Sequence, residues 1–219
     1  MKELDLFDRM RLSMDAMMNA VDKINKGVTY QNTFFNSSPL EMRKHFFGAD
    51  ASEIQSRFAM GIQCAKNMLN ITKKYPVEQD LIEYIKALQD HNRYGLCSQF
   101  KTAWSEEQKI SSSPFAQRLM LDAFLSLYQS GYPEFESRMD RFIEGVFLFK
   151  NKWNVLNGQV RLETEFTDDI GIDQWDFNIY SCCLLMDPLI EYYDISKKPR
   201  VLELIEKIFS NLFSNAIKY

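Results

Sequence analysis

Histidine is almost missing from this chain: two residues, His45 and His91, in 219, beside only eight glycines, six prolines and four cysteines. Each scarcity removes a class of chemistry. Two histidines and scattered cysteines give no set at zinc-ligand spacing, and no recurring carboxylate–histidine pattern points to a di-iron bundle. Glu41 and His45, four apart, read as a surface pair. Glycines spread one by one supply no phosphate-cradling loop, dinucleotide fingerprint or Gly-x-Ser-x-Gly elbow. No cofactor and no metal are therefore expected. Cys64, Cys97, Cys182 and Cys183 lack the density of a disulfide framework. No apolar run approaches the ~20 residues that cross a bilayer. The first residues alternate charge with apolar side chains and do not make a signal peptide. These absences predict a cytoplasmic chain without membrane association.

Hydrophobic residues make up 46% and charged residues 26% of the sequence, a globular balance with enough length for a sizeable core. The expectation is one domain over 1–219. Ser111-Ser112-Ser113-Pro114 marks the best internal boundary, between halves 1–110 and 114–219.

Long stretches free of glycine and proline favour helix. The predicted fold is all-α: a compact array of eight to ten antiparallel helices, with at most one short extended segment near 159–166. A helix over 4–26 carries the seam Phe7, Met10, Met14, Met17, Val21 and Ile24, with Gly27 at its C-cap. Such a seam could also pair with a second copy. Ser38-Pro39-Leu40-Glu41 forms a capping box that opens a short helix ending at Gly48, and Asp50 to Glu53 repeats it. The next stripe is Ile54, Phe58, Ile62, Ala65 and Leu69, stopped by Tyr75-Pro76. Leu81, Ile85 and Leu88 line a further helix that Gly95 breaks; Cys97, Phe100 and Trp104 then continue at helical spacing to about Ile110. Ala116, Leu119, Ala123 and Leu127 form another stripe, closing at Ser130-Gly131. The most regular stripe is Phe135, Met139, Phe142, Val146, Phe149, Trp153 and Leu156. Val160, Leu162, Thr164 and Phe166 alternate instead, as an extended segment does. Asp173 reads as the N-cap of a helix bearing Trp175, Ile179 and Met186, with Asp187-Pro188 ending or kinking it. The last helix starts near Pro199, with Leu202, Ile205, Phe209, Leu212 and Ala216 inward.

Chemistry concentrates in one stretch. Residues 162–194 hold nine carboxylates (Glu163, Glu165, Asp168, Asp169, Asp173, Asp176, Asp187, Glu191 and Asp194) and no Lys, Arg or His, so the stretch carries −9 while the whole chain carries −4. Average composition would place about four bases there. Such a face repels nucleic acid and suits a basic protein partner, whose encounter it would steer. The leading expectation is a non-enzymatic binding module docking through Glu163, Glu165, Asp168, Asp169, Asp173, Trp175 and Asp176. Tyr128 to Pro133 (YQSGYP), ahead of a long amphipathic helix, resembles a turn of helical immunity proteins from bacterial toxin pairs. That resemblance implies a toxin inhibitor, although it covers six residues of common turn chemistry.

Two alternatives stand behind it. The Met- and Phe-rich stripes could build a scaffold or oligomer. The cluster Asp168, Asp169 and Asp173 resembles the aspartate-rich motif of isoprenoid synthases, which implies magnesium held by hard oxygen ligands. Neither a second facing cluster nor the diphosphate-binding bases accompany it. The plainer reading has Asp173 capping a helix and its neighbours favouring the positive helix end. Cys182-Cys183 sits in an acidic neighbourhood, the opposite of what activates a thiolate, and reads as a small buried hydrophobe.

Overall fold

The computed structural model describes residues 5–19, 32–34, 41–43, 51–90, 95–96, 99–100, 110–111, 114–149, 153–156, 159–162 and 179–216. Seven helices lie among them: α1 (Leu6–Asn19), α2 (Ala51–Met68), α3 (Pro76–Asp90), α4 (Pro114–Gln129), α5 (Phe135–Phe149), α6 (Ile179–Ser196) and α7 (Pro199–Ala216). The main buried cluster draws its side chains from α2 to α7, with Leu96 and Tyr132 added from the segments that follow α3 and α4. The core is all-α.

Helix α4 is the centre of that core. Its residues Leu119, Met120, Leu121, Ala123, Phe124, Leu125 and Leu127 are all buried. They cover every side of the helix, the pattern of an element enclosed by others. α2 makes the most extensive helix contact with α4, and α6 and α5 follow. Phe124 meets Phe135 of α5 with ring centroids 5.4 Å apart. Each such side chain contributes about 1.5–3 kcal/mol by leaving water.

The helix ends follow from local chemistry. At the end of α2, the Ile71 N–H reaches the Lys66 carbonyl at 2.8 Å and the Asn70 N–H reaches that of Asn67 at 3.3 Å. Asn70 itself takes φ 53°. That is a Schellman closure, with asparagine in the left-handed position. Gly131, at φ 91°, closes α4 the same way, through Tyr132 N–H to the Leu127 carbonyl and Gly131 N–H to the Tyr128 carbonyl, both 3.1 Å. Pro76 opens α3 at its first position, where its missing N–H costs nothing. Behind α3 the chain presses on α5: a Cβ on Gly95 would stand 2.6 Å from the Arg141 carbonyl oxygen.

Seven helices lie among the described residues, which leaves the expected count of eight to ten unconfirmed. Other expectations are corrected, and the described extended segments exceed the single one expected. Three short antiparallel pairs occur: β1 (Asn32–Phe34) with β2 (Glu41–Arg43), β3 (Gln99–Phe100) with β4 (Ile110–Ser111), and β5 (Trp153–Leu156) with β6 (Gln159–Leu162). Thus Glu41–Arg43 is strand where a capping box predicted helix. Phe100 and Ile110 pair across β3 and β4, so neither is helical as expected; Trp104 lies outside the described residues. α5 ends at Phe149, and Trp153 and Leu156 belong to a hairpin in which Trp153 pairs with Leu162 and Val155 with Val160. Residues β-branched or aromatic at alternate positions favour this pairing. The intervening Asn157-Gly158 is a dipeptide typical of two-residue hairpin turns.

Helix α6 runs unbroken through Pro188. A proline there forfeits one backbone bond at ~3 kcal/mol, which the buried Leu185, Leu189 and Tyr192 offset. In α7 the inward residues are Val201, Leu204 and Ile208, while Phe209 stands 58% exposed. Of the expected stripe, Ile205 is partly buried against the core, Leu202 is half-buried and Phe209 turns outward, while the side chains of Leu212 and Ala216 lie outside the described residues. The 20–27 part of the first seam and Asp173 lie outside the described residues.

Candidate functional site

Of the acidic stretch, β6 and α6 carry the described portion; Glu163, Glu165, Asp168, Asp169, Asp173, Trp175 and Asp176 all lie outside the described residues. α6 has no basic side chain anywhere along it. Leu185, Pro188, Leu189 and Tyr192 turn inward, and Asp187, Ile190, Glu191, Asp194 and Ile195 turn outward. Helical spacing separates the two sets cleanly. The outer face therefore mixes three carboxylates with two isoleucines, Ile190 at 45% and Ile195 at 41% exposure.

Three donor side chains hold this face in position. The Gln129 amide at the end of α4 donates to Glu191 at 2.9 Å. Tyr192 donates its hydroxyl to Asp140 of α5 at 2.6 Å. Lys198 grips the same carboxylate at 2.7 Å and also pairs with Glu136 at 2.9 Å. Burial, and then the Asp140 carboxylate, push the Tyr192 hydroxyl well above its ordinary range, so it stays a donor at physiological pH. Lys197 closes the helix with φ 52° and pairs with Asp194 at 2.9 Å. The start of α7 is then tied down by Arg200, whose guanidinium lies 3.4 Å from the Phe147 ring centre and pairs with Glu144 at 2.8 Å.

Behind the acidic face lies Asp122 of α4, which sequence pattern did not single out. Its side chain is 12% exposed, and Arg118 approaches it at 2.8 Å. That approach lacks hydrogen-bond geometry on both sides. Burial pushes the Asp122 carboxyl up to about 6, with Glu191 and Asp187 adding to the rise against the opposing pull of Arg118. A single acid–base pair inside an otherwise apolar helix is the available clue, but only the packing of α6 shows which further charges act on it.

A second polar cluster lies away from this face. Glu78 of α3 is buried, and it accepts from Lys66 Nζ at 2.8 Å, Gln63 Nε2 at 2.7 Å, the Tyr132 hydroxyl at 2.9 Å and the Tyr75 N–H at 3.2 Å. The last bond is half of a capping box, the third helical residue reaching back to the N-cap. Every lone pair is used, so the cluster offers no open valence for substrate. Its role is to bind α2, α3 and the turn after α4 together.

Among the described residues, no three His, Cys, Asp or Glu side chains gather to hold a metal ion, and no helix is long and apolar enough to cross a membrane. Cys64 is free and exposed. No family model matches the chain, and neither curated proteins nor solved structures yield a match.

Proposed function

We propose that this chain is a non-enzymatic, cytoplasmic binding module that offers its acidic face, residues 162–194, to a basic protein, as an inhibitor or immunity protein of a cationic toxin would. The observation that supports this most is the outer face of α6. Asp187 and Glu191 stand one turn apart with no base on the helix, a like-charge spacing that weakens a helix on its own. A cationic partner relieves that repulsion, and the exposed Ile190 and Ile195 give the contact an apolar centre within a charged rim. Glu163, Glu165, Asp168, Asp169, Asp173, Trp175 and Asp176 continue the acidic run in sequence. The test is a co-purification from native cells with wild type and with an Asp187→Lys/Glu191→Lys variant. Recovery of one basic protein by wild type alone supports the reading; equal recovery by both removes it.

A second reading, a scaffold that pairs through its first helix, has its own observation: Leu6, Phe7 and Leu12 are 64%, 51% and 55% exposed on α1. Sedimentation of wild type beside a Leu6→Ser/Leu12→Ser variant separates the two, because only the scaffold reading predicts a dimer that the variant dissolves.

A further inference from the structure

The α4–α6 seam joins two helices of unequal charge: between them they carry four carboxylates, Asp122, Asp187, Glu191 and Asp194, and one base, Arg118. Asp122 is nearly covered, at 12% exposure, and its contact with Arg118 is close without being hydrogen-bonded. Among the described residues, the other helices against α4 do not redress the balance. On α2, Lys66 is committed to Glu78 and Arg57 is exposed. On α5, Arg138 and Arg141 hold Asp90, while Glu136 and Asp140 hold Lys198 and Glu144 holds Arg200.

We propose that this seam is a proton-operated joint: protonation of Asp122 in mild acid clamps α6 onto α4, and its ionisation near neutrality loosens α6. The physical cause is direct. Asp122 lies two turns before Gln129, on the side of α4 that bonds Glu191 of α6, and its buried carboxylate oxygen has no hydrogen-bond partner. An ionised Asp122 is thus desolvated and feels the charges of Glu191 and Asp187, so its negative form is disfavoured while the helices are together and relieved when they part. The neutral acid removes both penalties. The sign follows from linkage: a carboxyl raised to about 6 from an ordinary 3.8 binds its proton more tightly in the closed joint, so closure weakens as pH rises from the lower value through the upper one. The window is narrow and physiological. It also places the loosening on the helix that carries the described part of the acidic stretch.

Amide hydrogen exchange on the full chain tests this, with α6 protection read relative to α3 at each pH so that the intrinsic chemistry cancels. Between about pH 5 and about pH 7.5, α6 opening is expected to rise about tenfold relative to α3. In Asp122→Asn the ratio should stay flat. An unchanged ratio in wild type, or a persistent pH dependence in Asp122→Asn, overturns the proposal. A carbon-detected titration of the Asp122 carboxyl in wild type provides the second measurement should the variant not fold. A midpoint near the ordinary aspartate value would overturn it, and a midpoint near 6 that falls in Asp187→Asn/Glu191→Gln would support it.

Discussion

Lys66 on α2 and Glu78 on α3 meet at 2.8 Å with their side chains 7% and 2% exposed. Removing either partner strands the other charge in the core. Lys66→Met should therefore destabilise by about 3–5 kcal/mol, whereas replacing both with apolar residues should cost less than the sum of the single changes. Urea unfolding of the two single variants and the double variant measures this.

The same pair sets an acid limit. Burial works to raise the Glu78 carboxyl, but donors from Gln63, Lys66, Tyr132 and Tyr75 outweigh it and hold the group below its ordinary 4.5. A depressed carboxylate contributes stability above the unfolded value and loses it as pH falls through the folded one. The difference in melting temperature between wild type and Glu78→Gln should thus be widest near neutrality and shrink below about pH 4. A gap that stays constant into acid would contradict the assignment.

Two glycines share a left-handed backbone but differ in surroundings. Gly131 at φ 91° has open space where a Cβ would go, so Gly131→Ala should cost only the conformational penalty of about 1–2 kcal/mol. At Gly95, φ 82°, a Cβ would collide with the Arg141 carbonyl oxygen and with the Arg141 side chain, both at 2.6 Å. Gly95→Ala should cost clearly more than Gly131→Ala, as thermal unfolding of the two variants would show.

Phe142 is buried and Phe209 is 58% exposed, stacked on Phe213 at 6.0 Å. Phe142→Ala should lose about 3–5 kcal/mol, and Phe209→Ala should stay within about 0.5 kcal/mol of wild type.

That contrast also shows which parts of the molecule could be read from residues alone. The α5 stripe of Phe135, Met139, Phe142 and Val146 is buried as its spacing implies, because charged residues fill the other face. In α7 the reading holds for Ile205, which packs against the core, and fails for Phe209, because two apolar seams overlap on the helix. Leu202, Ile205 and Phe209 keep the same rhythm as Val201, Leu204 and Ile208, and only the helices behind α7 choose between them. Pro188 does not end α6, since the buried side chains around it outweigh a local breaker. Asn157-Gly158 was a legible hairpin signal that the longer apolar rhythm masked. Asp122 is not legible, because the charges that raise it, Asp187 and Glu191, are far away in sequence and act on it only through the packing of α6 on α4.

The last prediction concerns the acidic face itself. Two variants divide it: Asp168, Asp169, Asp173 and Asp176 changed to Asn, and separately Asp187→Asn with Glu191→Gln. Both should keep the fold. Asparagine caps a helix about as well as aspartate, and the α6 pair lies on the outer surface, where losing a like-charge spacing relieves the helix. If the face docks a basic partner, association should slow in both variants and its salt dependence should flatten, because the steering field is reduced while apolar contacts remain. A magnesium site would behave differently. Magnesium would then raise the melting temperature of wild type by mass action, would leave the fourfold Asn variant unmoved, and would still stabilise the α6 variant. Two measurements resolve this: association rates at low and high salt, and a thermal shift with magnesium. The expected result is slower, less salt-sensitive association in both variants with no magnesium shift in any of the three proteins. Unchanged rates with the same salt slope would mean that the carboxylates serve hydration alone.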